Sequence, residues 1–495
     1  MKSKRACRLA LAGGAIFVAL SAHPADQSVS NAPTDKVLML DNLGEVVEAK
    51  TNEIPRSLVP PPDVGTERQT PEPAQGASQP AAVQQRHREA AVGFRFLPSV
   101  PPPLAPYLAS QNQFGNLAAH PGAVFPVYPL EPLIQGPKYW LSQYGLNYSL
   151  QQTYTAVSMS DVMAGENNLG YYTARLKAAW SLYDSSATGT AGWIKTQLDA
   201  KTGFGSAGQN QSARSNLGTI TQPTSVWSGV NGLRVPELAW GQSLCDGKLV
   251  ALGGVVRQGN YIDQNVYAQS GRGQFINSAL TQSGVMPLPQ YSFGANLQWQ
   301  PLDEWYAMVG SSVGANKAGY APWTDLNLNT WTVLGELGYA PKDVLGLGPG
   351  IYRVEPFLAE VDDSHGAGLC FNLQQKLGPH SRFGWFGRFG FGGKHVSSHA
   401  AAQIGTGFVL KGPFGQWPVK RISNDLLGVG FVWSQPSASD ETVYHRNEYV
   451  LETFYTMQLS PTLRLQPDVQ YVIDPAFNNK HDRALVFQLQ LVLSW

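Results

Sequence analysis

The sequence predicts an all-β chain, a transmembrane antiparallel β-barrel of about sixteen strands preceded by a disordered proline-rich segment. Three observations predict it. From Trp140 onward, short segments alternate apolar and polar residues with the period of two that a strand imposes. No stretch reaches the roughly eighteen unbroken apolar residues of a membrane helix, and the mean hydropathy is -0.19, so any crossing is made with strands. The connections between alternating segments are tight and long in turn, as in barrels whose periplasmic turns are short and whose outer loops are long.

The front of the chain sets the compartment. Lys2, Lys4, Arg5 and Arg8 surround the start of an apolar run from Leu9 to Leu20, followed by the small residues Ser21 and Ala22. That is the pattern of a cleavable export signal over residues 1–25. Cys7 lies ahead of the apolar run, where it cannot serve as a lipid anchor. The whole chain carries 35 basic and 35 acidic residues. Losing the four basic residues of the signal leaves 31 against 35, which offers no basic face for nucleic acid. Three cysteines exclude a disulfide scaffold. Residues 26–130 show no sustained period and are crowded with prolines, among them Pro60, Pro61, Pro62, Pro101, Pro102 and Pro103. They read as an extended, disordered periplasmic spacer in which Val37 to Leu40 is a short apolar run.

Residues 131–495 make the barrel. Tyr291, Phe293, Ala295, Leu297 and Trp299 alternate with Ser292, Gly294, Asn296, Gln298 and Gln300, and Phe383, Trp385, Phe389 and Phe391 alternate with Arg382, Arg388 and glycines. The connections at 474–482, 434–445, 315–329, 258–290 and 201–233 are long. Those at Ser460-Pro461, 377–382, 301–304 and Asp246-Gly247 are tight, and 411–423 is the exception to the alternation. The chain's last residues put Phe487, Leu489, Leu491 and Leu493 on one face and Gln488 and Gln490 on the other. Trp495 then stands at the interfacial end of the closing strand.

Two stretches resemble the carbohydrate-selective porin (OprB) family. ETVYHRNEYVLETFYTMQLSPTLRLQPDVQYVIDP, from Glu441 to Pro475, has a glutamate-bearing strand, a tight turn and a Gln-Pro-Asp-x-Gln-Tyr strand. ELAWGQSLCDGKLV, from Glu237 to Val250, has Asp246-Gly247-Lys248 as its hairpin and is followed by Tyr261, Asp263, Asn265 and the run QFINSAL from Gln274 to Leu280. The resemblance covers about Trp140 to Trp495. It implies a sixteen-stranded barrel in the outer membrane of a Gram-negative-type bacterium, placed in outer-membrane lipid by the barrel assembly machinery. Small neutral sugars would cross it by diffusion, with no cofactor, metal or catalytic residue. The same stretch sets Pro467 inside a strand, where a bulge is expected to accommodate it.

If aromatic rows face lipid, the opposite rows face the lumen. Arg175, Lys177, Lys195, Asp199, Glu237, Arg257, Glu336, Arg353, Glu355, Lys376, Arg382, Arg388, Glu448, Glu452, Arg464 and Asp468 fall on them. Their signs are mixed and nearly balanced, which suits a neutral polyhydroxylated solute better than an ion. Glu448, Glu452, Arg464 and Asp468, on two strands joined by a tight turn, are the leading candidates, with Arg353, Glu355, Arg382 and Arg388 beside them. The plainer reading is that such charges pair across strands and stiffen a water-filled wall. In the 258–290 loop, Tyr261, Asp263, Asn265, Gln274, Phe275 and Asn277 combine flat apolar faces with polar tips that suit sugar rings. The loop is expected to fold inward as a constriction; the alternative is an ordinary outer loop.

Other motifs fall away on context. Gly310-Ser311-Ser312-Val313-Gly314 matches a nucleophile elbow but continues an alternating strand with no helix after it. His395 and His399 flank a turn, and Cys245 and Cys370 lie several strands apart, too far to bridge. A general or anion-tolerant diffusion pore, a channel associated with polysaccharide export and, more remotely, an outer-membrane barrel enzyme are the rival functions. The enzyme would need a Ser/His or Asp/His pair with a third member, and none is found.

Overall fold

The protein is described by a computed structural model that places residues 8–12, 15–19, 36–40 and 46–50, and then 131–495 apart from 143, 186–188, 206–210, 227–230, 246, 270, 317–322, 324–325, 362, 379–381, 414–424, 438–441 and 461. In the first part, Arg8–Ala12 pairs with Ala15–Ala19 and Lys36–Leu40 with Val46–Lys50, both antiparallel. The second pair falls in the segment expected to be structureless, and its first strand contains the apolar run noted above. The remainder of the export signal and of the proline-rich spacer lies outside the described residues, as do Asp246 and Pro461 of the two tight turns.

A helix, α1 (Glu131–Ser142), leads into sixteen strands: β1 (Leu146–Met159), β2 (Asn168–Ser185), β3 (Thr190–Phe204), β4 (Gly232–Leu244), β5 (Leu249–Val255), β6 (Phe293–Leu302), β7 (Trp305–Asn316), β8 (Leu326–Tyr339), β9 (Gly350–Val361), β10 (Ser364–Lys376), β11 (Phe383–Gly392), β12 (Ala400–Lys411), β13 (Leu426–Pro436), β14 (Glu448–Ser460), β15 (Leu463–Ile473) and β16 (Arg483–Ser494). Each pairs antiparallel with the next, and β16 pairs with β1 to close the barrel. Trp495 continues that seam: its N–H donates to Leu150 O at 2.8 Å and its carbonyl accepts from Leu150 N–H at 3.2 Å. Closure leaves no edge strand, the condition for a sheet in hydrocarbon.

The barrel is apolar outside and polar inside. On β16, Leu485, Phe487 and Leu489 are exposed while Gln488 and Gln490 are buried; on β6, Phe293 and Trp299 are exposed while Asn296 and Gln298 are buried. Period two with one face to lipid produces this inversion of a soluble core.

Tight connections at 245–248, 303–304 and 461–462 lie at one end, and the long ones at 205–231, 256–292 and 437–447 lie at the other. The expected exception is present as the 412–425 connection. Two more are not legible as such in the sequence: 340–349 is long at the tight end, and 362–363 is tight at the long end.

Strand prolines behave in two ways. Pro467 does not cause the expected bulge: Phe454↔Asp468 and Met457↔Leu465 keep one register across it, as do Leu334↔Phe357 and Leu337↔Val354 across Pro356. A register shift occurs instead at Pro236, between Gln197↔Glu237 and Asp199↔Arg234. A proline that spares its neighbours' ladder bonds costs one bond and need not slip the strand. Cys370 is a buried free thiol on β10.

Candidate pore constriction

The β5–β6 connection, residues 256–292, turns into the barrel, and its course is traced by bonds to the wall. A chain segment crossing a lumen has no sheet partner, so its backbone groups must be met by side chains. At its root, Gln258 Nε2 donates to the carbonyls of Ala295 at 3.0 Å and Ser311 at 2.8 Å. Asn260 Nδ2 donates to Glu237 Oε2 at 3.0 Å, and the Tyr261 hydroxyl bonds the same carboxylate while accepting from Lys195 Nζ at 2.9 Å.

Farther in, Asp263 accepts from Arg388 Nε and Asn372 Nδ2, each at 2.8 Å, and its N–H donates to Glu336 Oε2 at 3.1 Å. Asn265 Nδ2 donates to Asn372 Oδ1 at 2.8 Å, and Val266 N–H to Gln374 Oε1 at 3.1 Å. The returning half is tied to the last strands. Gly273 N–H donates to Gln466 Oε1 at 2.9 Å, Asn277 N–H to Glu452 Oε2 at 3.0 Å, and Asn277 Nδ2 to Gln470 Oε1 at 3.0 Å. Gln490 Nε2 donates to Gly271 O at 2.9 Å, and Gly284 N–H to Gln403 Oε1 at 2.8 Å. The loop is thus fastened from β7 round to β16.

One aromatic anchor sits within these bonds. Phe275 packs with its ring centroid 5.2 Å from Phe386 and 4.8 Å from Phe454. Gly430 makes room for it, since a Cβ there would lie 2.8 Å from the Phe275 ring and 2.7 Å from Leu280. Asn277 caps the single turn α2 (Ser278–Thr281), accepting from Ala279 N–H at 3.0 Å. The 205–231 connection reaches the same side. Its Pro223 carbonyl accepts from Gln470 Nε2 and Gln488 Nε2, both at 2.9 Å, and Ile220 N–H donates to Glu448 Oε2 at 2.7 Å.

Tyr261, Asp263, Asn265, Gln274, Phe275 and Asn277 are all buried; Gln274 closes a turn within the loop, donating to Val266 O at 2.7 Å. Glu448 and Glu452 are latches for loop N–H groups, Glu448 also taking Ala476 N–H at 3.1 Å. Glu452 and Asp468 meet in a side-chain hydrogen bond, Asp468 also accepting from Gln470 at 3.1 Å, whereas Arg464 Nε donates to Gln458 Oε1 at 2.7 Å, so the structure brings two of the four together. Arg353 pairs with Glu336 at 3.3 Å in a buried group with Tyr306 and Glu355, and Arg388 pairs with Asp263. Arg382 stands apart: it is exposed at the tight-turn end and donates to Gly412 O at 2.6 Å.

Charge drew sequence reasoning past the neutral amides Asn372, Gln403, Gln466, Gln470 and Gln490, which hold most of the loop. Their recurrence every second residue on inward rows was the available signal. Lys201 was also missed, because β3 runs on to Phe204, inside the stretch expected to be loop, and Arg234, one residue beyond that stretch, was not placed on an inward row.

The wall of β1–β3 takes few of these bonds. One row runs Gln151, Arg175, Asp199 and Arg234 across β1–β4, and the next runs Ser149, Lys177, Gln197 and Glu237. Arg175 grips Asp199 with two bonds, of 2.8 and 2.7 Å. On β1 the side-chain polar atoms of Gln151, Thr153 and Thr155 are buried without a hydrogen-bond partner among the described residues.

A model of the family described as "Carbohydrate-selective porin, OprB family" matches residues 189–360 and 356–494. The chain belongs to this family. Among relatives of this OprB-family chain, Porin AaxA of Chlamydia pneumoniae is 28% identical over 241 residues, 47% of this chain and 52% of that protein. Porin AaxA of Chlamydia caviae is 25% identical over 339 residues, 63% of this chain and 67% of that protein. The chain therefore spans about half the length of the first of these relatives. The high-pH structure of Pseudomonas putida OprB has the same fold, with a TM-score of 0.60 at 16% identity over 73% of this chain and 97% of that one. Family and barrel together place the chain in the outer membrane of a Gram-negative-type bacterium.

Proposed function

We propose that the protein is a passive diffusion channel for small solutes with a preference for carbohydrates, and that it acts as a porin and not as an enzyme. Family membership supports the solute class. The observation that carries the mechanism is the asymmetric fastening of the 256–292 loop. It is bonded round the wall from β7 to β16 and pinned at its root to β3 and β4, so the route for solute runs between the loop and the β1–β3 wall. There, Gln151, Thr153 and Thr155 carry buried donors and acceptors that no described residue satisfies, groups that a sugar's hydroxyl rim can meet. Tyr261, Asp263 and Asn277 serve this route by holding the loop, since their own polar atoms are engaged with the wall. Liposome swelling tests the reading. Glucose should enter proteoliposomes clearly faster than a disaccharide, and protein that gives no swelling with any sugar would overturn it.

A further inference from the structure

The helix α1 joins β1 through Tyr144 and Gly145, and it lies against the outside of the barrel wall. Lys138 Nζ stands 5.7 Å from the centre of the Tyr148 ring. Tyr148 is on the lipid-facing side of β1, two residues on from Leu146, whereas the next residue, Ser149, is buried on the inward side. A helix tucked under the lumen could not make that contact. At the junction, the Trp180 indole Nε1 donates to Tyr144 O at 3.2 Å and Ser181 N–H to Gly145 O at 2.9 Å, which ties the end of the helix to β2. Trp180 belongs to an outward row that runs Leu146, Trp180, Ile194 and Trp240 across β1–β4 near the tight-turn end, the level at which a barrel's aromatic residues meet headgroups.

The helix carries that row off the barrel. Pro137, Trp140 and Leu141 recur three and four residues apart, with Tyr144 one turn on, and Pro137, Trp140 and Tyr144 are exposed. The Trp140 and Tyr144 rings meet edge to face with centroids 5.2 Å apart, so Trp180, Tyr144 and Trp140 form one continuous aromatic ledge. In water such a ledge leaves large apolar faces unburied; at a membrane interface the rings are buried while the indole N–H and phenol O–H stay wet. Lys138 supplies the charge beside it. Its stem lies against the barrel, no neighbouring charge acts on it, and burial lowers its ammonium to about 8. An anion next to it restores the charged form.

We propose that α1 is an interfacial anchor whose partner is the glycerophospholipid of the inner leaflet, with Trp140 and Tyr144 seated at headgroup level and Lys138 meeting a lipid phosphate. Lipid fits better than a soluble protein because the barrel's own lipid-facing surface continues unbroken through Trp180 into the helix. The anchor holds the rim beside the seam of β16 and β1, where the ladder closes through Leu150 and Trp495.

Spin-label accessibility tests it, with the full-length protein in vesicles of phosphatidylethanolamine and phosphatidylglycerol. A nitroxide is placed at Trp140→Cys, and the unsubstituted protein carried through the same labelling supplies the background; Tyr144→Cys repeats the reading should the first variant fail to insert. The label should meet dissolved oxygen more readily than a water-soluble nickel chelate, as a label at Trp180→Cys on the barrel's own girdle does. One at Lys342→Cys, exposed at the tight-turn end, should show the reverse. A label at 140 that behaves like the one at 342 puts the helix in water and overturns the anchor. Dipolar broadening that disappears on dilution with unlabelled protein would assign the ledge to a second copy of the chain and also overturn it. Adding Lys138→Gln should raise the unseated, mobile fraction of the label about fivefold, the usual effect of one lysine at an anionic surface; an unchanged fraction overturns the phosphate contact.

Discussion

The wall from β7 to β16 and the wall from β1 to β3 are built from similar residue types and differ in what satisfies them. On the first, most amides and arginines end on the backbone of the inward loop or on each other, as with Gln466 on Gly273 and Arg388 on Asp263, while the Glu355 carboxylate and the Ser312 and Thr332 hydroxyls are buried without a hydrogen-bond partner among the described residues. On the second, β1 presents hydroxyls and an amide without partners among the described residues, beside a row in which Arg175 pairs with Asp199. A buried polar group that is fully satisfied fixes structure, and one that is not gains when a solute or water reaches it. The same contrast separates the latch residues Glu448 and Glu452 from Arg175 and its neighbours, although both sets lie on inward rows.

The strongest way to break the contrast is to remove the loop. Replacing residues 262–284 by a short Gly-Ser turn should widen the lumen, raise single-channel conductance about threefold or more and abolish discrimination between glucose and a disaccharide. Unchanged conductance would show that the loop does not set the bore. Next in size is the anchor. Phe275→Ala removes a ring packed between two others, at a cost of about 3–5 kcal/mol to the loop's seating. The channel should flicker between levels, and trypsin should gain access to Arg272, while heat-modifiable mobility on a gel stays near that of the wild type because the barrel ladder is untouched.

Glu452→Gln sharpens the account. The carboxylate accepts from the N–H groups of Ile276 and Asn277, and an amide leaves one of those donors poorly met, costing about 1–3 kcal/mol. Hydrogen exchange at 276–277 should accelerate, with ion selectivity close to the wild-type value; a large change in selectivity would instead mark Glu452 as lining the route. The smallest effect is expected at Arg382. Exposed at the tight-turn end, its replacement by glutamine should change stability by no more than about 0.5 kcal/mol and leave conductance alone.

Much of the barrel was legible because period two is a strong signal over sixteen strands. The alternation of connection lengths fixed which end is which. What sequence could not show is how one loop divides the interior. The inward rows of β14 and β15 read as a charged patch, yet which face of the lumen a loop covers depends on contacts such as Gly271 with Gln490, 219 residues apart. Lys201 was further obscured, because polar residues at strand ends look like loop. Pro467 illustrates the opposite error, since a rule about single residues predicted a bulge where the flanking register holds.

Cysteine accessibility during conduction reports whether solute travels between the loop and the β1–β3 wall. Thr153→Cys on β1 and Asn372→Cys on β10 both sit on inward rows, in channels otherwise identical. A small charged methanethiosulfonate added to the bath should block current through the Thr153→Cys channel within the time it takes to pass, and leave the Asn372→Cys channel at the rate of the unsubstituted protein. Faster block at position 372 than at position 153 would put the route on the fastened wall and contradict the account.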